Sequence, residues 1–362
     1  RTATADRRPF GVGVTMTLRS GYALPLTLAA IIVIALVAAM AAEQVRSSTR
    51  TVTELVDQMR DRTEMVSAEQ TLIYTLLTEP MVMEGVALGG QSDMTSLVLG
   101  QSGPRNASDL IRANGQAYRF GAEGVIARLY DDQSFLNAAS ADPANLTDIL
   151  DLYGVPRMQH ARMIAALRDY QDEDDLRTLG GAEAADYDQP GLPTNEPLRS
   201  ALELCSVMYW TESAVCEDTG RLLLTLRTRS SDRVAPGLVS EALLSLMSPE
   251  ADREDVRETF LLFADGQLTR FDQIDQGRFD QVRDPLSTLT APGPFLTLVT
   301  QTPDATITRR TVIELTPNSL ISPFVLHSKY AIGGDYSQNI LRIESIDDVA
   351  PLPQTPSLAT ER

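Results

Sequence analysis

An unbroken run of uncharged residues over 20–42 constrains the fold of this chain more than any other feature. At about 1.5 Å per residue, a helix of that length spans the roughly 30 Å hydrocarbon core of a bilayer. The run is longer than the apolar core of an ordinary secretory signal. Because Arg1, Arg7, Arg8 and Arg19 precede it, the positive-inside rule predicts a cytoplasmic N-terminal end and an exported remainder.

The basic end of this run reads Arg19-Ser20-Gly21-Tyr22. If a protease cuts after Gly21, the apolar helix stays on the mature protein and Tyr22 becomes its first residue. An Arg, a small residue, Gly, an aromatic residue and then an apolar helix resemble the leader of type IV pilins and pseudopilins. An uncleaved single-pass anchor is the alternative.

The helical pattern continues beyond the apolar run. Apolar residues recur at near-helical spacing as far as 77, and neither Pro nor Gly interrupts residues 43–78. We therefore expect one helix over 22–78, with 22–42 in lipid and the rest on a soluble domain. Pro25 is tolerated because the first helical turn has no intrahelical donor to lose.

Downstream, strand-like and helix-like segments alternate, which predicts an α+β fold. Strands are predicted at short alternating or β-branched segments: 118–120, 125–130, 295–299, 305–308, 311–315 and 324–330. Helices are predicted at 142–170, 198–217 and 237–263. Between them, 79–115 has the composition of a loop with short helical pieces, and 171–197 that of a long acidic loop. A helical block between strands suggests an inserted domain, with two sequential domains as the alternative.

The charge of the chain argues against nucleic acid as a partner. The net charge is −18, and residues 1–21 carry four Arg and one Asp, so the remainder carries −21. A phosphate-binding surface needs clustered cations. The turn at Tyr153-Gly154-Val155-Pro156 also has one Gly and a Pro, where a helix-hairpin-helix on DNA needs two glycines with free amides. A DNA-handling pilin component is therefore disfavoured.

Cys205 and Cys216 are the only cysteines. Outside the cytoplasm the pair can persist as a disulfide, and a closed loop of that size would contribute roughly 2–3 kcal/mol. Two buried free thiols are the alternative. No CxxC pair or Cys/His cluster occurs in the sequence, which disfavours zinc.

The densest group of candidate ligands is the run Asp169-Tyr170-Gln171-Asp172-Glu173-Asp174-Asp175, followed by Gly181-Ala182-Glu183. Calcium takes about six to eight oxygens from carboxylates and carbonyls on flexible loops. Asp172 and Asp174 alternate along one short loop, and Glu183 can return after a turn to the same ion. The spacing is not that of an EF-hand. A solvated acidic loop and a hydrolase acid–base pair are the alternatives.

Together these features resemble the K-type minor pseudopilin of the type II secretion system, from residue 19 to about 330. The resemblance is carried by the Gly21/Tyr22 junction, the segment 136–140, the acidic run with Gly181-Ala182-Glu183, and Asn195-Glu196-Pro197. Where the family's acidic motif has Trp, this chain has Tyr170.

The resemblance implies an α+β fold with a long N-terminal transmembrane helix on a pilin-like antiparallel sheet. A large, mainly helical domain of the SAM or helix-hairpin-helix type is inserted between strands. The implied parts are a prepilin leader (1–21), the N-terminal helix (22–78), a body in two pieces (79–132 and 264–350), the inserted domain (133–263) and a disordered tail (351–362).

The resemblance also implies a structural role without catalysis. Such proteins cap the tip of a short periplasmic pseudopilus with other minor pseudopilins, and the fibre supports export of folded proteins across the outer membrane. We therefore expect processing by a prepilin peptidase, an N-methylated Tyr22, and a single-pass inner-membrane protein with a periplasmic C-terminal domain. A membrane-anchored periplasmic hydrolase using the 169–188 carboxylates is the alternative.

Members of this family bind calcium in the inserted domain. By that match the expected ligands are Asp172, Asp174 and Glu183, with Asp175, Asp186 and Asp188 as further candidates.

Leu26 would be the fifth residue of the mature chain, where most pilin-like subunits carry Glu. That Glu is buried in the fibre and pairs with the N-terminal amine of a neighbouring subunit. A subunit with Leu at this position has no carboxylate with which to neutralise the N-terminal amine of a subunit ahead of it. Leu26 therefore suits the leading position in a fibre.

Overall fold

The structure, a computed structural model, describes residues 23–82, 85–88, 110–121, 124–229, 238–240, 242–243, 246, 293–333, 339–343 and 345–353. The chain folds as two compact units, Arg1–Arg60 and Asp61–Arg362. The predicted processing site at Gly21 and Tyr22 lies outside the described residues.

One helix, α1, runs over Ala23–Thr78, as the sequence predicts. Within the first unit, every side chain from Leu24 to Arg60 is exposed, including the apolar ones. Leu26, the candidate assembly residue, is among them. The apolar part of the helix is long enough to cross a membrane.

The second unit is built on β-strands. In the part of the chain that the structure describes, they are β1 (Met81–Val82), β2 (Gly85–Ala87), β3 (Leu110–Arg112), β4 (Asn114–Phe120), β5 (Val125–Asp131), β6 (Leu136–Asn137), β7 (Leu226–Arg227), β8 (Phe295–Gln301), β9 (Thr308–Leu315) and β10 (Phe324–Ile332). The main sheet has five antiparallel strands in the order β10-β9-β8-β5-β4. A smaller sheet has the order β1-β2-β3.

A large insertion separates two neighbouring strands of the main sheet. β5 ends at Asp131 and β8 begins at Phe295, yet the two strands pair directly, with Leu129 opposite Leu298. The chain between them contains α2 (Pro143–Leu152), α3 (Arg157–Gln171), α4 (Thr219–Thr225) and the short parallel pair β6-β7. The described part of the insertion thus contains a helical hairpin, α2-α3, which turns at Tyr153–Pro156.

The main sheet has a buried layer on each face. The C-terminal half of α1, with Met65 and Leu72, shares one apolar core with Leu129 of β5. On the opposite face, the insertion buries Trp210 in a second core that reaches Tyr130 of the sheet. Because both faces are covered, all seven residues of β5 are buried, which explains its nearly continuous apolar sequence.

Three predicted elements of the body are wrong. Most of the predicted strand at 305–308 lies instead in the turn between β8 and β9, where Ala305 has a φ of 57°, and β9 begins only at Thr308. The described residues within 79–115 form strands rather than helical pieces. The tail is ordered at its start, because Leu352 is buried and donates its amide to the Arg119 carbonyl at 2.7 Å. Residues 354–362 lie outside the described residues.

The predicted helix over 198–217 is also wrong. The structure has a 3-10 helix over Ala201–Ser206, followed by successive tight turns. Cys205 and Cys216 are joined in a disulfide with a Cα–Cα distance of 5.7 Å, and a straight helix would separate these residues by about 16 Å. Most of the predicted helix over 237–263 lies outside the described residues.

Candidate metal centre

The acidic segment, which we call the acidic loop, follows α3 and spans residues 172–200. It begins at the C-terminus of α3, where the Asp172 amide donates to the Arg168 carbonyl at 3.0 Å. One turn earlier, Asp169 is fully buried and accepts hydrogen bonds from the amide and the hydroxyl of Thr178. Asp169 therefore ties the first turn of the loop to the helix.

Gly181 allows the loop to return to this carboxylate. A Cβ at position 181 would stand 1.9 Å from Oδ2 of Asp169 and 2.7 Å from the Thr178 hydroxyl. No side chain fits at that distance, which is a steric reason for glycine at the first position of the predicted Gly181-Ala182-Glu183 motif. The close approach places Glu183 next to the end of α3.

Three oxygen-bearing side chains of this loop have buried acceptor atoms without a hydrogen-bond donor. They are both carboxylate oxygens of Glu183, Oδ1 of Asp172 and the amide oxygen of Asn195. Glu183 is only 7% exposed. A buried carboxylate without a partner costs several kcal/mol, about the penalty that a bound cation would remove.

The electrostatics of the loop also indicate missing positive charge. Burial, and then the charges of Asp169, Asp172, Asp175 and Asp174, raise the pKa of Glu183 above its ordinary value. Burial, followed by Asp174 and Asp169, likewise raises the pKa of Asp172. Both carboxylates thus face other acids rather than Arg or Lys, and a divalent cation would reverse that balance.

Asn195 closes the loop from the other side. Its backbone φ is 50°, in the left-handed region that Asn tolerates. Its amide nitrogen donates to the Asp174 carbonyl and to Oδ1 of Asp175, both at 3.3 Å, and its backbone amide donates to the Tyr170 carbonyl at 3.1 Å. These bonds use the donors of Asn195 and leave its side-chain oxygen as a free ligand atom.

The remaining predicted ligands differ in their surroundings. Asp174 accepts a hydrogen bond from the Leu176 amide at 2.8 Å. Asp186 has both oxygens engaged, one with Arg177 at 3.2 Å and one with the Glu183 amide at 3.0 Å. Asp188 is exposed to solvent. Asp186 therefore positions Glu183 through its backbone.

Carboxylates alone do not complete the site. Among the described residues, no group of three or more His, Cys, Asp or Glu side chains is close enough to hold a metal by itself. Calcium also accepts amide and backbone carbonyl oxygens, which the side chain of Asn195 and the loop carbonyls could supply. The sequence analysis placed Asp169 in the run of candidate ligands without assigning it a role, and it did not name Asn195 as a ligand. The available sequence signal for Asn195 was its residue type, because Asn is favoured at left-handed turn positions.

The acidic loop packs on the disulfide-containing segment through aromatic residues. The Tyr187 hydroxyl accepts from the Met208 amide at 3.1 Å, and its ring lies 6.5 Å from that of Tyr170. Trp210 is fully buried and donates to the Met163 carbonyl at 2.8 Å. Since Trp210 and Tyr170 are both in the core, neither lines an open cleft of the kind a glycosidase-like hydrolase needs.

The comparisons with known proteins can now be set beside this geometry. A model of the family described as "Type II secretion system (T2SS), protein K" matches residues 126–217, which run from β5 through the acidic loop to just beyond the disulfide. Among solved structures, a chain of "The Crystal Structure of the GspK-GspI-GspJ complex from enterotoxigenic Escherichia coli Type 2 Secretion System" is 14% identical, with a TM-score of 0.43. The match covers 79% of this chain and 99% of that one. No curated protein matches the chain. The family match over residues 126–217 confirms the predicted resemblance to the K-type minor pseudopilins of type II secretion.

Proposed function

We propose that this protein is a minor pseudopilin and caps the tip of a type II secretion pseudopilus. The family match over 126–217 is the observation that carries the proposal. The long apolar helix α1 supports insertion in the inner membrane before assembly, with the strand-built unit and its insertion in the periplasm. Leu26 supports the leading position, because it offers no carboxylate to a subunit ahead of it.

The partners we propose are other minor pseudopilins. The solved complex with a similar chain contains proteins named GspK, GspI and GspJ, and the corresponding subunits are the natural candidates here. Prepilin peptidase would cut after Gly21 and leave an N-methylated Tyr22, so that α1 begins close to the mature N-terminus. The hydrolase alternative receives no support from the family match or from the packing of Trp210.

We also propose calcium as a structural cofactor of the acidic loop. Glu183, Asp172 and the side-chain oxygen of Asn195 would hold it, because their buried acceptor atoms are without donors. Asp174 and Asp175 would add negative charge beside them. The ion would neutralise these acids and fix the loop against the disulfide-containing segment, without a role in turnover.

Processing is tested by expressing the protein with a prepilin peptidase and measuring its intact mass and N-terminal sequence. We expect a mature start at Tyr22 carrying one methyl group. The variant Gly21→Ala should remain uncut, whereas Gly13→Ala, within the predicted leader, should be processed normally. An uncut wild-type chain would overturn the pilin-type assignment of α1.

The tip position is tested separately on assembled fibres. An epitope tag after residue 353 should be detected by immunogold labelling at one end of each pseudopilus. Labelling along the length of the fibre would contradict tip placement while leaving the processing result intact.

A further inference from the structure

A second feature of the insertion, the arginine pocket, has the opposite charge to the acidic loop. It is a small, solvent-open pocket with a volume of about 20 Å³, lined among the described residues by Arg199, Arg227, Arg229 and Arg310, and by one acid, Asp132. The chain carries 49 acidic residues against 31 basic ones. Four guanidinium groups around one small pocket are therefore not a consequence of average composition.

Arg310 is the group that most requires an explanation. It is 4% exposed, and no hydrogen bond or ion pair joins its guanidinium to any described residue. Its Nε is buried without a partner. Its guanidinium carbon lies 5.3 Å from the centre of the Phe135 ring, which holds it in place without neutralising it. Burial lowers the pKa of Arg310 to about 10, although the nearby charge of Asp132 opposes that shift.

The other three arginines already contact partners within the protein. Arg227 contacts Asp132 at 3.4 Å, with both side chains buried. Arg199, which is exposed, pairs with Glu196. Among the described residues, Asp132 is thus the one carboxylate that lines the pocket, and it lies within ion-pair distance of Arg227.

Arg229 is held through a histidine. It bonds Nδ1 of His327, whose Nε2 lies 2.8 Å from a carboxylate oxygen of Glu314. Because arginine can only donate, Nδ1 accepts and the ring proton sits on Nε2, facing Glu314. This relay fixes the Arg229 side chain at the wall of the pocket without placing another carboxylate inside it.

From this arrangement we propose that the pocket binds a small oxyanion, a carboxylate or a phosphate group, with Arg310 as its central ligand. Asp132 offsets the buried charge of Arg310 only in part, because it also contacts Arg227. A buried cation with incomplete compensation is costly, and an anion in the adjacent pocket reduces that cost. Guanidinium forks bind both carboxylate and phosphate in bidentate fashion. Ser200 and Ser328, which also line the pocket, add hydroxyl donors.

The volume of the pocket limits the ligand. A space of about 20 Å³ that opens to solvent admits a small free anion or the end of one acidic side chain. It does not admit a folded element. The ligand is therefore either a free anion such as inorganic phosphate or a carboxylate presented on a peptide.

The test uses the full chain in an uncharged detergent, with the melting midpoint followed by the fluorescence of Trp210, the single tryptophan. Sodium phosphate, sodium acetate and a short Asp/Glu-containing peptide are titrated at constant ionic strength against sodium chloride. At least one oxyanion should raise the midpoint by a few degrees at saturating concentration. If none of them moves it more than chloride does, the proposal is wrong.

Arg310→Met should weaken binding of that anion about ten-fold or more, because it removes a charge-assisted bond while keeping a similar volume. Without the anion, the variant should melt at the same temperature as the wild type or higher. Arg309→Met is the matched control, since Arg309 is the adjacent strand residue and does not line the pocket. Equal losses of binding in the two variants would overturn the assignment of Arg310.

Arg199→Gln is a second variant that does not depend on refolding the core, because Arg199 is exposed. It should weaken binding several-fold with little change in the midpoint of the anion-free protein. Unchanged affinity in both Arg199→Gln and Arg310→Met would place any bound anion elsewhere. Stabilisation by phosphate alone indicates a free anion, and stabilisation by acetate and the acidic peptide indicates a carboxylate from a partner chain.

Discussion

The acidic loop and the arginine pocket solve opposite problems in similar ways. In the loop, Glu183 is buried among other acids with both carboxylate oxygens unpaired. In the pocket, Arg310 is buried with its Nε unpaired, and among the described residues only the charge of Asp132 offsets it in part. Each site keeps a charge that the fold compensates incompletely, and each would be completed by an ion of opposite sign. The comparison teaches that incomplete charge balance inside the protein can locate ligand sites for cations as well as for anions.

The largest expected effect tests the geometry of the acidic loop. Gly181→Ala should destabilise the protein by about 3 kcal/mol or more, because the new Cβ would stand 1.9 Å from Asp169. Gly333→Ala is the control, since Gly333, like Gly181, has no left-handed φ and no atom lies within 4 Å of its Cβ position. Urea unfolding followed by Trp210 fluorescence measures both. Equal losses would show that the approach to Asp169 does not explain Gly181.

Calcium should stabilise the protein through the loop and not through the pocket. At a free calcium concentration about 100 times the dissociation constant, we expect the free energy of unfolding to rise by about 2.7 kcal/mol. Glu183→Gln should abolish most of that gain, and without calcium it should be as stable as the wild type, because it removes a buried charge that faces other acids. Glu173→Gln, an exposed change of the same kind in the same loop, should keep the calcium response. Calcium that leaves the wild-type midpoint unmoved would refute the metal site.

A buried carboxylate behind the pocket should respond to pH. Burial raises the pKa of Asp131 to about 6, even though Arg227 and the amides of Gln133 and Gly293 oppose that shift. The folded protein therefore binds this proton more tightly than the unfolded chain, whose pKa is near 4. The contribution of Asp131 to stability falls as the pH rises from about 4 through 6, and is constant above.

Asp131→Asn isolates this effect, because it resembles the protonated acid at every pH. Between pH 4 and pH 7.5, the variant should gain about 2–3 kcal/mol relative to the wild type. Urea unfolding of both proteins across that range measures the difference. A difference that stays constant with pH would show that Asp131 is ionised throughout, and that the positive field of the pocket outweighs its burial.

The sequence predicted well what depends on local pattern. The uninterrupted periodicity over 43–78 predicted α1, and the β-branched runs predicted β5, β8 and β10. The segment 198–217 failed because the disulfide between Cys205 and Cys216 imposes tight turns on residues with helical periodicity. The strand predicted at 305–308 failed because a hairpin turn there contains Ala305, a residue with no turn signal of its own.

The candidate sites show the same division. The acidic run, from Asp169 onward, was visible because its carboxylates are close in sequence. The role of Asp169 in fixing Thr178 was not predicted, because its burial is a tertiary property. The arginine pocket was invisible, since Arg199, Arg227 and Arg310 converge from distant elements that only the insertion into the sheet brings together.

The smallest expected effect concerns a buried acid that the fold does compensate. Glu69 of α1 is 3% exposed and pairs at 2.7 Å with Lys329, the only lysine of the chain. Lys329→Met should cost about 1–2 kcal/mol, less than a fully buried pair because the lysine is partly exposed. The double variant with Glu69→Gln should recover most of that loss in urea unfolding. If Lys329→Met alone is neutral, an unpaired buried carboxylate is tolerated in this protein, and the unpaired Glu183 would no longer point to a cation.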